Sequence, residues 1–141
     1  MKPLVPAVVL LTLIFADCST GPRSTLKDIP TTRVFKLSRP QVLDAVRVYS
    51  VKEGFSLESS EVESGRIIGR RTLQATQMGD PSKLIIMNLR LAPVDSAHCE
   101  VTSWFRFSSV GNALTREEEN ILRDCYITLY DELDREAGQL P

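Results

Sequence analysis

One imidazole, three thiols and one run of carboxylates are the side chains of this 141-residue chain whose types suit catalysis or metal binding. Nucleophilic catalysis by imidazole needs a base held between a nucleophile and an orienting acid. His98 is the only imidazole. It lies beside the turn at 92–97, and a surface histidine at a strand start is expected there. Glu117, Glu118 and Glu119 follow Thr115 at the head of a predicted helix. Carboxylates in a first helical turn stabilise the positive end of the helix dipole, so this run is expected to be structural. His98 and Cys99 are adjacent, so on a strand they point to opposite faces. No further ligand cluster accompanies them, and a zinc site is not expected. Gly65 and Gly69 lie in strand context, not ahead of a helix, so no phosphate-cradling loop is expected either. The chain reads as non-catalytic, with no cofactor and no metal.

Charge narrows the partners. Lys and Arg number 17 against 18 Asp and Glu, a net charge of -1. Nucleic-acid binding usually shows as a basic excess, so no nucleic acid is expected. An apolar fraction of 43% and a charged fraction of 25% are ordinary for a globular chain. The length suits one domain.

The first thiol belongs to a leader. Met1-Lys2 is a short positive start, and residues 4–16 are apolar apart from Pro6 and Thr12. That run is shorter than the roughly 20 residues a spanning helix needs and fits the h-region of a signal peptide. Phe15-Ala16-Asp17-Cys18-Ser19 follows. This leader resembles that of bacterial lipoproteins, whose lipobox is an aliphatic residue, a small residue, Gly or Ala, then the lipidated Cys. Ala16 and Cys18 match. Phe15 stands for the usual Leu, and Asp17 stands where Gly or Ala is usual. The resemblance implies that residues 1–17 are a signal peptide and that Cys18 carries the lipid anchor. Ser19 after the Cys implies the periplasmic face of the outer membrane. A secretory signal without lipid and an uncleaved anchor are the other readings of these residues. Several acyl chains give stable anchoring, at about 0.8 kcal/mol per buried methylene.

Residues 18–31, rich in Ser, Thr, Pro and Gly, read as a flexible tether. Residues 32–138 read as one domain. A strand at 32–37 puts Phe35 and Leu37 on one face. Ser38 and Gln41 form a capping box around Pro40, and the helix carries Val42, Ala45, Val46 and Tyr49 until Gly54 ends it. Phe55 and Leu57 alternate inward over 55–60. Strands follow at 66–75, 83–91 and 98–108. Gly69 is expected to mark a bulge or a close approach by a helix. Thr115 and Glu118 form a second capping box. The last helix carries Leu122, Cys125, Tyr126, Leu129 and Leu133 and ends near Gly138.

The order β-α-β-β-β-β-α predicts an α+β two-layer sandwich, with both helices on one face of an antiparallel sheet. It resembles the helix-grip domains of small lipoproteins in the outer-membrane β-barrel assembly machinery, with the Gly54-Phe55 step and Ser64, Gly65, Arg66 and Ile67 as the shared motifs. That resemblance implies a fold and an accessory role in outer-membrane protein assembly; it carries over no binding residue. Cys99 and Cys125 each fall on the core face of their element. In an oxidising compartment a disulfide between them is expected, with two buried free thiols as the alternative.

The outer face of the sheet is the candidate docking surface. It should show Arg66, Ile68, Arg70, Leu84, Ile86, Arg90, Trp104 and Arg106. An apolar centre with an arginine rim is an interface composition, and Trp and Arg are enriched at hot spots. Trp104, Arg106, Ile86, Leu84 and Arg90 are the candidate partner-binding residues. Leu26 and Ile29 of the tether are the competing cover for Trp104. The expected function is that of an envelope lipoprotein acting as a structural or interaction module with a protein partner. The alternative is a periplasmic module holding a small apolar ligand or lipid between helices and sheet. Bulky Phe35, Tyr49, Phe55, Met87, Phe105 and Phe107 on the inward positions favour a filled core, and so the first.

Overall fold

A computed structural model describes residues 26–58, 64–74, 82–108 and 113–139. The leader at 1–17, lipidation of Cys18 and the tether at 18–25 lie outside those residues, as do the expected strand ends at 59–60 and 75. A 3-10 turn at Leu26–Asp28 precedes β1 (Thr32–Phe35), α1 (Arg39–Glu53), β2 (Ser56–Glu58), β3 (Arg66–Leu73), β4 (Lys83–Pro93), β5 (Cys99–Phe107) and α2 (Arg116–Gln139). The sheet is antiparallel throughout, in the order β1-β5-β4-β3-β2. Strands β2 to β5 form a meander, and α1 carries the chain from β1 at one edge to β2 at the other. Both helices pack on one face, the α+β two-layer arrangement that the pattern predicts.

Local signals set the helix ends. Ser38 N–H donates to Gln41 Oε1 at 2.8 Å, and Gln41 N–H donates back to Ser38 Oγ at 3.4 Å. Each bond satisfies an amide that the first turn leaves without a helical partner. Gly54 closes α1 with φ 77°, in the left-handed region. At α2 the Thr115 and Glu118 amides exchange bonds with each other's side chains, at 2.9 and 3.2 Å. The helix ends at Gln139, next to Gly138, as expected.

The core lies between the layers. Val42, Ala45, Val46 and Tyr49 of α1 meet Ile67, Ile85, Met87, Leu89, Val101 and Phe105 of the sheet and Leu122, Leu129 and Leu133 of α2. Leu37 is fully buried although β1 ends at Phe35. Rings of Tyr49, Phe55, Phe105 and Tyr126 stack and edge together, with Phe105 and Tyr126 centroids 4.8 Å apart.

Tyrosine hydroxyls satisfy the polar groups this packing buries. Tyr49 Oη donates to the Cys125 carbonyl at 3.1 Å and so links α1 to α2. Tyr126 Oη accepts from Phe105 N–H at 3.0 Å, on the edge of β5 that faces β1 but beyond the Thr32–Thr102 pair where β1 ends. Tyr130 Oη bonds the Pro30 carbonyl at 2.5 Å and lies 2.8 Å from Ser103 Oγ, itself fully buried.

Three expectations are corrected. Cys99 and Cys125 are free, buried thiols, not a disulfide. Tyr126, the neighbour of Cys125, bonds the amide of Phe105, and Cys99 lies six residues further along β5, about 20 Å at strand rise. A disulfide needs Cα atoms within about 7 Å. Gly69 marks neither a bulge nor a helix approach. The β3–β4 register runs through it unbroken, and side chains close over it. A Cβ there would lie 2.7 Å from Met87 Cε and 3.3 Å from Leu57 Cδ2. The expected tether is also shorter on its domain side. Leu26 and Ile29 pack against the core, so the folded unit includes residues 26–31.

Candidate docking face

Alternation along β3, β4 and β5 separates two chemistries. The inward positions are apolar, Ser103, Arg71 and, at the start of β4, Lys83 excepted. The outward ones are Arg66, Ile68 and Arg70; Leu84, Ile86, Asn88 and Arg90; and Thr102, Trp104 and Arg106. The register sets their neighbours. Trp104 stands opposite Asn88, Arg106 opposite Ile86, and Thr102 opposite Arg90. Across the next strand pair Ile68 faces Asn88, Arg70 faces Ile86, and Arg66 faces Arg90. The structure therefore brings Trp104, Arg106, Ile86, Leu84 and Arg90 onto one face, as expected. Asn88, in the middle beside Trp104, was not singled out by sequence reasoning. Its place depends on cross-strand register, which alternation within a strand does not report.

Trp104 is 47% exposed and Val34, on the same face of β1, is 54% exposed. Leu26 and Ile29 do not cover Trp104. They pack against the core beside α2, on the opposite side of the sheet. Tyr130 holds the Pro30 carbonyl on that side too.

Four arginines, Arg66, Arg70, Arg90 and Arg106, share this face with Glu58 and Glu100. Arg70 Nε pairs with Glu58 at 2.8 Å. Arg90 and Arg106 have no carboxylate partner among the described residues. They flank Trp104 on either side. Arg66 and Arg90 lie directly opposite each other.

The other sequence candidates make local contacts. His98 Nδ1 lies 2.9 Å from the Asp95 carboxylate, which also accepts from Ala97 N–H at 2.7 Å. These bonds hold the Asp95 carboxyl below its usual range, His98 contributing most. They tie the β4–β5 turn together. Glu118 is both the capping acid of α2 and the partner of Lys83 at 2.6 Å, and the Lys83 bond lowers its pKa. Among the described residues no three His, Cys, Asp or Glu side chains converge as a metal site would require. Cys125 is no poised nucleophile, because burial pushes its thiol up to about 11, and thiolate is the reactive form.

Sequence reasoning passed over Arg71, the charged residue on the inward side of β3. The alternation that points Arg66, Ile68 and Arg70 outward was the signal for it. Its guanidinium lies over the Phe55 ring at 5.6 Å and pairs with Glu53 at 3.6 Å. It lines a half-open pocket of about 340 Å³ with Glu53, Ile121, Asp124, Cys125, Ile127 and Thr128. That pocket is at the rim of the helix layer and is lined by three charged side chains and by Ile121, Cys125, Ile127 and Thr128; the space under the helices holds the aromatic rings.

No protein-family model matches this chain, and no curated protein matches it either. Among solved structures, the adenylate sensor of AMP-activated protein kinase, in complex with the ribofuranotide ZMP, is similar at 13% identity. That match covers 72% of this chain and 94% of that one, with a TM-score of 0.50. The conserved protein YugN from Geobacillus kaustophilus is 12% identical over 73% of this chain and 87% of its own, with a TM-score of 0.42. A TBP-like protein from Parabacteroides distasonis is 10% identical over 78% and 92%, with a TM-score of 0.41. At such identities the likeness concerns the fold alone.

Proposed function

We propose that this chain is a non-catalytic interaction module of the bacterial cell envelope, held to the membrane by a lipid on Cys18, which docks a protein partner through the outer face of its sheet. The observation that carries the docking part is Trp104, 47% exposed between Arg90 and Arg106, with no described segment covering it. A large aromatic on a solvated strand leaves apolar area in water, and tryptophan with arginine is the composition of interface hot spots.

The anchor rests on the leader's resemblance to lipoproteins, and so does the placement on the periplasmic face of the outer membrane. The accessory role in outer-membrane protein assembly rests on the helix-grip resemblance. The test has two arms. Cys18→Ser is expected to move the protein from the membrane pellet to the soluble periplasmic fraction; sedimentation after a salt wash would refute the lipid. Trp104→Ala is expected to abolish co-purification of the partner with a tagged lipidated chain while the melting temperature holds. Undiminished recovery would refute the face, and a loss of roughly 3–5 kcal/mol of stability would mark Trp104 as core.

A further inference from the structure

The sheet face has its complement on the other side of the same molecule. α2 carries eight carboxylates against three arginines. Its solvent side presents Asp124, Ile127 and Asp131, three and four residues apart and hence on one stripe. All three are exposed, Ile127 at 45%. Asp124 and Asp131 have no ion-pair partner among the described residues. An apolar side chain between two unpaired carboxylates mirrors Trp104 between two unpaired guanidinium groups.

The spacings agree. Arg90 is paired across from Thr102, four residues from Arg106 on the neighbouring strand. Strand rise and strand spacing put the two Cα atoms about 14 Å apart. Asp124 and Asp131 are seven residues apart, about 10.5 Å along a helix. The reach of two arginine side chains takes up the difference. Val48 and Val51 of α1 are also exposed, at 45% and 84%, and widen the apolar part of the helix layer.

We infer that the partner of the outer sheet face is a second copy of this chain, which lays the Asp124–Ile127–Asp131 stripe of α2 across Trp104, Arg90 and Arg106. This rests on reading that face as a docking surface. The two patches lie on opposite sides of the molecule, so a pair of copies cannot make the contact twice and it is heterologous. A pair of copies keeps one patch of each kind free, so association continues past the dimer, into a ring or an open chain.

The test is sedimentation velocity on the Cys18→Ser chain over a concentration series, in low and high salt. The expected result is an average mass that rises with concentration past the dimer and falls in high salt, where exposed charge pairs are screened. A sheet variant (Trp104→Ala with Arg106→Ser) and a helix variant (Asp124→Ser with Asp131→Ser) should each weaken self-association by more than about tenfold. Mixed together they should form a 1:1 dimer that does not grow, because each retains one intact patch. The substituted positions are exposed, so melting temperatures should hold. A chain that is monomeric at every concentration, a closed dimer, or association indifferent to both variants would overturn the inference. A monomer that still captures another protein through Trp104 would overturn it while leaving the docking face standing.

Discussion

At Gly65 the backbone holds φ at 80°, and an added Cβ would stand 2.7 Å from the Leu91 carbonyl oxygen. The Leu91 amide donates to the Gly65 carbonyl at 2.6 Å, so neither backbone can step aside without losing that bond. Gly65→Ala is therefore expected to cost about 1–3 kcal/mol, read as a lower urea midpoint. Gly54 has a similar φ of 77°, but a Cβ there meets nothing within 4 Å. Gly54→Ala should cost less, and equal midpoints for the two would contradict the clash. The thiols give a second residue-scale test. In unreduced Cys18→Ser protein, denaturant should expose two free thiols. In the folded state both should react far more slowly, since Cys99 is 0% and Cys125 3% exposed. A count of zero would restore the disulfide.

Between elements, Tyr126 substitutes for a strand that is missing. Phe105 points its amide away from β4 at a place β1 does not reach, and the tyrosine hydroxyl accepts it. Tyr126→Phe keeps the ring and removes the acceptor, which should cost about 1–3 kcal/mol in chemical denaturation. A neutral result would mean that water takes over the bond. That hydroxyl was not legible in the sequence, where Tyr126 registers only as an apolar member of the α2 stripe. Periodicity does report which side of its own element a residue occupies. It placed Val42, Ala45, Val46 and Tyr49 in the core and Trp104, Arg106, Ile86, Leu84 and Arg90 on the opposite face of the sheet. It does not report position along an element relative to another. Two core-facing cysteines therefore read as a disulfide although the fold keeps them apart. Asn88 was missed beside Trp104 for the same reason. Gly69 shows a further limit: glycine vacates space identically for a bulge, a helix or a methionine.

Across the whole molecule, the buried hydroxyls and thiol set an alkaline limit. Burial raises the pKa values of Tyr49, Tyr126 and Tyr130 above the usual 10.0, and that of Cys125 from 9.0 to about 11. The unfolded chain releases these protons first, so stability is fully present below about pH 9 and declines as pH rises. Tyrosinate absorbance should jump together with loss of helical dichroism; gradual titration in a folded chain would contradict the burial. On the acid side, the lowered pKa of Glu118, set first by the Lys83 bond, makes a contribution that is lost as pH falls through the folded value. The path of the chain has its own consequence. β1 pairs with β5, as Thr32 with Thr102 at a separation of 70 residues, and Pro30 is held by Tyr130 at a separation of 100. Among the described elements, the first strand closes onto the last strand and the last helix. A nascent chain emerging N-terminus first must carry β1 unpaired until its far end arrives. Long-range closure of this kind slows folding and leaves a strand edge open meanwhile. A chain cut short before Arg116 should stay unfolded and prone to aggregate, however well formed its meander, because β1 and Pro30 have no closure until β5 and α2 are both present.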